Sequence, residues 1–407
     1  MLKQRAARAA MPVEVAEEPV DPSKITLEDV SDQTLVTIEL GYGLVQLVDD
    51  RRGSPLVSRI TGVRKQLSQL FGFVVPQFRV RDALDMPPND YRILLGGVPV
   101  GGAAIRADKV LAIDAGEARA NHGPGDHGLD GEPTIDPSFG CPALWIDPAR
   151  RDHAIAEGFL TVDPSTVIAT HLNQLLGERP QALLGADEVR DLLDTVKDRA
   201  PGLVETIHPQ PLSLGALTRL LRALVEDGIS LAHPLPILSA LSAAVQQTVD
   251  HDRLVDILRA ELGGLLVARC CGPTERLPVL TLEAGLEAAI VQGMQDPVTG
   301  QPVIEPDLAR AIGERIGDIV AERGPAAAPL ALVVQPRARR ALAALLRLRA
   351  PQCLVLSISE LPPGQPIEVL SVIGAEAGPP QPHSTPQPLA LPHPQSSFDS
   401  ELESLAA

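Results

Sequence analysis

Apolar positions along this chain follow two periods, and the switches between them divide it into segments. "TLVTIEL" and "LVQLVD" read as short strands on either side of "GYG", where Gly41 and Gly43 permit a bend. From Pro55, the residues Leu56, Ile60, Val63, Leu67 and Phe71 recur at helical spacing. "FVVPQFRVRD" and "YRILLGGVPVG" return to strand character. Further on, the strands "KVLAID", "ALWID" and "FLTV" surround the helix "PARRDHAIAEG", which is a small α/β set. "DPSTVIATHLNQLL" then offers Asp163 as a helix cap, Pro164 at the first helical position and a long apolar face.

From 183 to about 270 the period is almost purely helical. "ADEVRDLLDTVKDR", "SLGALTRLLRALVEDG", "PLPILSALSAAVQQT" and "HDRLVDILRAELGGLLVARC" are separated by Gly and Pro signals. From 277 the strands "LPVLTL", "LALVV", "CLVLSI" and "IEVLSVI" alternate with helices, notably "DLARAIGERIGDIVAERG" and "RARRALAALLRLRA", as in an α/β unit. Residues 1–33 read as a flexible linker. The Pro-, Gln- and Ser-rich stretch 375–407 reads as a disordered tail.

Length and composition narrow the function more than the fold. A chain of 407 residues exceeds one ordinary core and implies two to four compact units. With aromatic residues at 2%, those cores must be built from Leu, Val, Ile and Ala. Eight of the nine aromatic residues fall between Tyr42 and Phe159, so the front half carries whatever these side chains are for. The stretch "TIDPSFGCPALWID" holds both Phe139 and the single tryptophan, Trp145. A net charge of -17 argues against nucleic acid and against anionic lipid as partners. The four cysteines, Cys141, Cys270, Cys271 and Cys353, form no C-x-x-C pair and suit a reduced, cytosolic chain. No run of 18 apolar residues and no signal-peptide pattern is present, so no membrane span is expected within this sequence.

Candidate chemistry is sparse. There is no Walker loop, and the glycines of "GGVPVGG" sit in a strand hairpin without a following lysine. Neither H-E-x-x-H nor G-x-S-x-G occurs. His122, Asp126, His127, Asp130 and Glu132 invite a metal-site reading, but their spacing fits neither zinc nor a calcium loop, and a solvated loop is the simpler account. His171 lies on a helix beside apolar positions and reads as a packed or hydrogen-bonded histidine rather than a base. Arg337, Arg339, Arg340, Arg347 and Arg349 make either a solvated helical face or a site for an acidic partner or neighbouring subunit. Taken together, the absences favour a binding or assembly protein, with no cofactor or metal, over an enzyme.

Several stretches are familiar in order: "IELGYGLVQLVDD", "RITGVRKQLSQLFGFVVPQFRVRD", "PPNDYRILLGGVPVG", "TIDPSFGCPALWID" and "GFLTVDPSTVIATHLNQLL". The series resembles the cytoplasmic domain of the export-gate proteins of type III secretion. It is strong over 34–200 and looser over 200–374, and "GFVVPQFRVRD" favours the flagellar branch over the injectisome branch. Gln46 stands where a proline is usual, and the 115–133 loop is unusually long.

The resemblance implies an α/β and α multi-domain chain. Its first α/β domain is discontinuous, 34–107 plus 164–183, and is interrupted by a small ferredoxin-like α/β domain, 108–163. A helical domain, 184–270, and a C-terminal α/β domain, 271–374, follow. It further implies a homo-oligomeric ring, commonly nine-membered, below a membrane export gate. Such a ring receives flagellar export chaperones with late substrates and meets other soluble export components. By position in the family motifs, Asp136, Phe139 and Thr170 would form the chaperone-docking site, and Gly41 would be a mobile hinge. An apolar anchor with a charge and a hydroxyl to orient it suits such a role. Ile113 and Val162, at the ends of adjacent expected strands, would line the groove. Trp145 reads as core, while Phe139 taken alone fits either core or anchor. An injectisome paralogue is the alternative within the class; a soluble enzyme using the first α/β unit and the His-Asp loop is the alternative outside it.

Overall fold

The structure is a computed structural model, and it describes residues 34–49, 55–114, 129–272, 274–297, 300–324 and 327–374. The expected linker, tail and most of the 115–133 loop lie outside these residues. Two compact units divide between Arg259 and Ala260.

In the first unit, strand β1 (Val36–Leu40) pairs in parallel with β2 (Phe78–Asp82) and antiparallel with β3 (Asp90–Leu95), which turns back into β4 (Val98–Ala104). The order is β2-β1-β3-β4, and helix α1 (Pro55–Phe71) lies on the crossover from β1 to β2. Val36, Ile38 and Leu40 alternate onto one buried face, level with Ile93 and Tyr91 of β3. On the other face Glu39 is buried too, which would be costly without partners. The register sets Arg81 opposite it on one side and Arg92 on the other. Arg81 Nη2 donates to Oε1 at 2.5 Å and Arg92 Nε to Oε2 at 2.6 Å, so the carboxylate is held from both sides.

The segment "LVQLVD" departs from expectation. It is not a strand but part of a 3-10 turn, Tyr42–Leu47, that buries Leu44 and Leu47 at three-residue spacing. The backbone explains the change. Gly41 N donates to Asp90 O and Gly43 N to Pro88 O, both at 2.8 Å, which draws the chain out of the sheet onto the loop before β3.

A second sheet contains β5 (Val110–Ile113), β6 (Glu132–Ile135), β7 (Pro142–Ile146) and β8 (Leu160–Val162), antiparallel throughout, in the order β6-β7-β5-β8. Val110, Ala112, Leu144 and Ile146 meet Ala154 of helix α2 (Arg151–Ala156) and Phe159 on one face. Helix α2 packs against β5 and β8 of this sheet. Strand β6 was not apparent in the sequence, because Pro133 breaks its alternation.

Helix α3 (Pro164–Gly177) follows β8 directly. Asp163 Oδ1 accepts from Thr166 N at 3.1 Å, and Pro164 fills the first turn. This helix packs against α1, β4 and β5, so it touches both sheets. The rest of the first unit is helical: α4 (Pro180–Leu183), α5 (Ala186–Lys197), α6 (Pro201–Glu205), α7 (Leu214–Glu226), α8 (Pro234–Ala244) and α9 (His251–Glu261), which ends just past the division.

The second unit begins with a short helix, α10 (Gly263–Val267). Its parallel sheet comprises β9 (Leu277–Leu282), β10 (Leu330–Val334), β11 (Cys353–Ser357) and β12 (Ile367–Ile373), ordered β11-β10-β9-β12. Helices α11 (Ala284–Gln292) and α12 (Pro306–Arg323) link β9 to β10, and α13 (Pro336–Arg349) links β10 to β11. Leu280, Leu332 and Val355 meet Ile316 and Leu342 in its core. Of the arginines on α13, Arg339 turns inward, with Nε 3.6 Å from the equally buried Glu360; Arg337, Arg347 and Arg349 are exposed. Among the described residues no helix is long and apolar enough to cross a membrane.

Candidate docking site

The loop from β6 to β7, residues 136–141, is closed by its own first residue. Asp136 N donates to Cys141 O at 2.8 Å, and Gly140 N donates to Asp136 O at 2.9 Å. The Asp136 carboxylate turns inward, where Oδ2 accepts from Phe139 N at 2.8 Å. Gly140 has φ +70°, a conformation that costs other residues energy. These bonds tie the loop from within and leave the apolar side chain of Phe139 outside. Asp136 is 2% exposed and Phe139 69% exposed, so Phe139 does not belong to the core. Trp145, on β7, does.

Across the four strands beside this loop, Thr134, Ala143, Ile113 and Leu160 form one row on one face. Val162 stands a row further in, opposite Leu111, which itself faces Trp145. Ile113 and Val162 thus share a face but are diagonal rather than paired. Ile113 is buried and Val162 half-buried. Ile135, the last residue of β6, and Leu160 are both mostly exposed. Sequence reasoning missed these two apolar side chains; recognising β6 and the end of β8 as edges would have found them.

Thr170 is half-buried on α3, and the next residue, His171, is buried. The Tyr91 hydroxyl on β3 and His171 Nδ1 share a hydrogen bond of 2.6 Å, with the two rings edge-on. Burial raises the Tyr91 pKa well above the ordinary value for a phenol, and the Asp136 charge adds to the rise. Burial lowers the His171 pKa, against the opposing pull of Asp136 and Glu178. Asp136 is therefore close enough for its charge to act on both rings. The charge of Asp136 in the "DPSF" loop thus acts on His171 of the "ATHL" stretch of α3, more than thirty residues further along the chain.

Gly41 stands at the start of the 3-10 turn. Its φ of -63° and ψ of 153° are open to any residue, so backbone freedom is not what requires glycine here. Space is: a Cβ would stand 2.1 Å from Pro87 O and 2.7 Å from Pro88 O.

Two of the residues in the metal-site reading have other work. Glu132 accepts from Arg106 Nε at 3.0 Å and from Lys109 Nζ at 3.4 Å, and the Arg106 bond holds its pKa below the usual carboxylate value. Asp130 accepts from Arg150 at 3.0 Å. His122, Asp126 and His127 lie outside the described residues, among which no cluster of three or more such side chains is placed to hold a metal.

Comparison with known proteins adds the relationship. The sequence profile of the FHIPEP family matches residues 2–365. The flagellar biosynthesis protein FlhA of Proteus mirabilis is 33% identical over 349 residues, covering 86% of this chain and 49% of that protein. This chain thus spans about half the length of the curated relatives it matches. In fold it is similar to the Chlamydia pneumoniae CdsV protein, with a TM-score of 0.70 at 24% identity over 86% of this chain and 100% of that one. It is also similar to nonameric EPEC SctV-C, with a TM-score of 0.62 at 17% identity over 84% of this chain and 100% of that one.

Proposed function

Because the chain belongs to the FHIPEP family, we propose that it is a docking platform of a flagellar type III protein export apparatus, receiving export chaperones with their late substrates at Phe139. The observation that carries this reading is an aromatic ring held out of the surface by a loop that its own Asp136 ties together through internal hydrogen bonds. Evolution of a stable fold alone gives no reason to fix Phe139 there; an anchor for a partner's apolar pocket does. The 33% identity to a flagellar relative supports the flagellar branch over the virulence one.

In this reading Thr170 supplies a hydroxyl near the anchor. Asp136 acts mainly by shaping the loop, and Ile113, Leu160 and Val162 line its flank. Copies of the chain assemble into a ring, as the nonameric relative's description suggests. A membrane-spanning part of the longer protein anchors that ring under the export gate on the cytoplasmic side. The proposed domains are 34–107 with 164–183, the inserted 108–163, the helical 184–270 and the closing 271–374.

The test is binding of a flagellar export chaperone loaded with its late substrate, measured by calorimetry on the purified chain. Truncating an interface anchor costs about 2 kcal/mol, roughly thirtyfold in affinity. Phe139→Ala should therefore weaken binding by at least about tenfold with little change in melting temperature. Unchanged binding by this variant would remove the site.

A further inference from the structure

Beside the proposed docking loop lies a buried polar pair that anchoring by Phe139 does not itself require. Tyr91 OH and His171 Nδ1 are 2.6 Å apart, one on a strand of the first sheet and the other on the helix that carries Thr170. The imidazole packs over Gly101 of β4 so closely that a Cβ there would lie 3.1 Å from Nε2. A buried hydroxyl and a buried imidazole are costly unless they satisfy each other, and this contact does so. It also joins β3 to α3, the helix that packs against β5 of the second sheet.

We propose that Tyr91 and His171 are positioning residues for the docking site, their hydrogen bond fixing helix α3 and Thr170 relative to the loop that presents Phe139. The inference rests on the docking reading and gives it a second tier, acting through the first sheet rather than by contact with the partner.

The chemistry makes the pair sensitive to acid. In the neutral ring Nδ1 can accept a hydrogen bond from the Tyr91 hydroxyl; protonation makes Nδ1 a donor, so the bond must reverse while the buried ring takes on an unfavourable charge. The charged groups acting on His171 are Asp136 from the loop and Glu178 just beyond α3, with Tyr91 on β3 the titratable neighbour. Strand β4 contributes the uncharged Gly101, and on α1 Arg59 is engaged with Asp163 at the far end of α3. Burial keeps the folded-state pKa of His171 below its ordinary 6.5. The unfolded chain therefore binds this proton more readily, and the arrangement, complete above 6.5, weakens as pH falls below it.

The test uses the purified chain and the same loaded chaperone, at about pH 7.5 and about pH 5.5. In His171→Asn an amide oxygen can take the place of Nδ1 and accept from Tyr91, but the side chain cannot acquire the proton. It should bind within about threefold of the wild type at the higher pH and lose less affinity on acidification. Tyr91→Phe should weaken binding by about fivefold or more at the higher pH and move the His171 titration, followed by NMR, upward. Should His171→Ala fail to fold, these two variants still decide the matter. An acid loss in His171→Asn equal to that of the wild type, or wild-type binding by Tyr91→Phe, would overturn the proposal. If either occurs while Phe139→Ala still weakens binding by about tenfold or more, positioning alone is wrong. If the wild-type chain does not bind the loaded chaperone at all, the docking reading falls and takes this proposal with it.

Discussion

At the scale of single residues, what a side chain is for depends on which of its atoms are already occupied. Asp136 carries a carboxylate, yet one of its oxygens accepts from the Phe139 amide, and in the proposed reading the docking role falls to the ring beside it. Gly41 shows the same dependence through volume. A side chain at Gly41 meets the backbone carbonyls of Pro87 and Pro88, which are tied in place by accepting from Asp90 N and Gly43 N. Gly41→Cys should therefore cost about 1–3 kcal/mol, the usual range for overpacking. We expect a chain that folds at low temperature and a bacterium whose motility and export fail on warming; normal motility across the range would remove the proposed hinge. The sequence made Gly41 conspicuous but supplied the wrong reason, because an ordinary φ and a crowded Cβ site look alike in one dimension. Phe139 was ambiguous for a related reason: a single aromatic residue has no period from which to read its side of a surface.

Elements were legible where period and boundary chemistry agreed. Helix α3 has an apolar face and opens on Asp-Pro, and both signals are physical: the Asp163 carboxylate caps Thr166 N, and Pro164 gives up no hydrogen bond. Asp163→Ala should cost about 1 kcal/mol through the lost cap, seen as a lower urea midpoint. The exposed Arg59–Asp163 pair at 2.8 Å should add little to that loss. An unchanged midpoint would mean that packing against α1 alone fixes the helix start. Where the signals disagreed, the reading failed. "LVQLVD" has strand composition, but the hydrogen bonds of Gly41 and Gly43 to a distant loop turn it into a 3-10 turn. Strand β6 is four residues, "EPTI", and is recognisable only through its pairing with β7. The packing of α3 against both sheets was likewise invisible to local pattern, since it joins residues far apart in the chain.

For the whole molecule, the surplus of acidic residues sets the terms on which copies can meet. A chain with a net charge of -17 repels its own kind, and added salt screens that repulsion. If the proposed ring forms through apolar contact, sedimentation should show assembly strengthening as sodium chloride rises from about 0.05 to about 0.5 M. Weakening over that range would show that attractive ion pairs hold the copies together. The scarcity of aromatic residues has a different consequence, through Trp145. It is the sole indole, and it sits on β7 between β6 and β5, in the sheet that carries the proposed anchor loop. Tryptophan emission from this protein is therefore a local signal. It reports whether that one sheet is intact. Circular dichroism, by contrast, weights the many helices elsewhere. The molecule thus carries a built-in probe for asking whether its parts come undone together or one at a time.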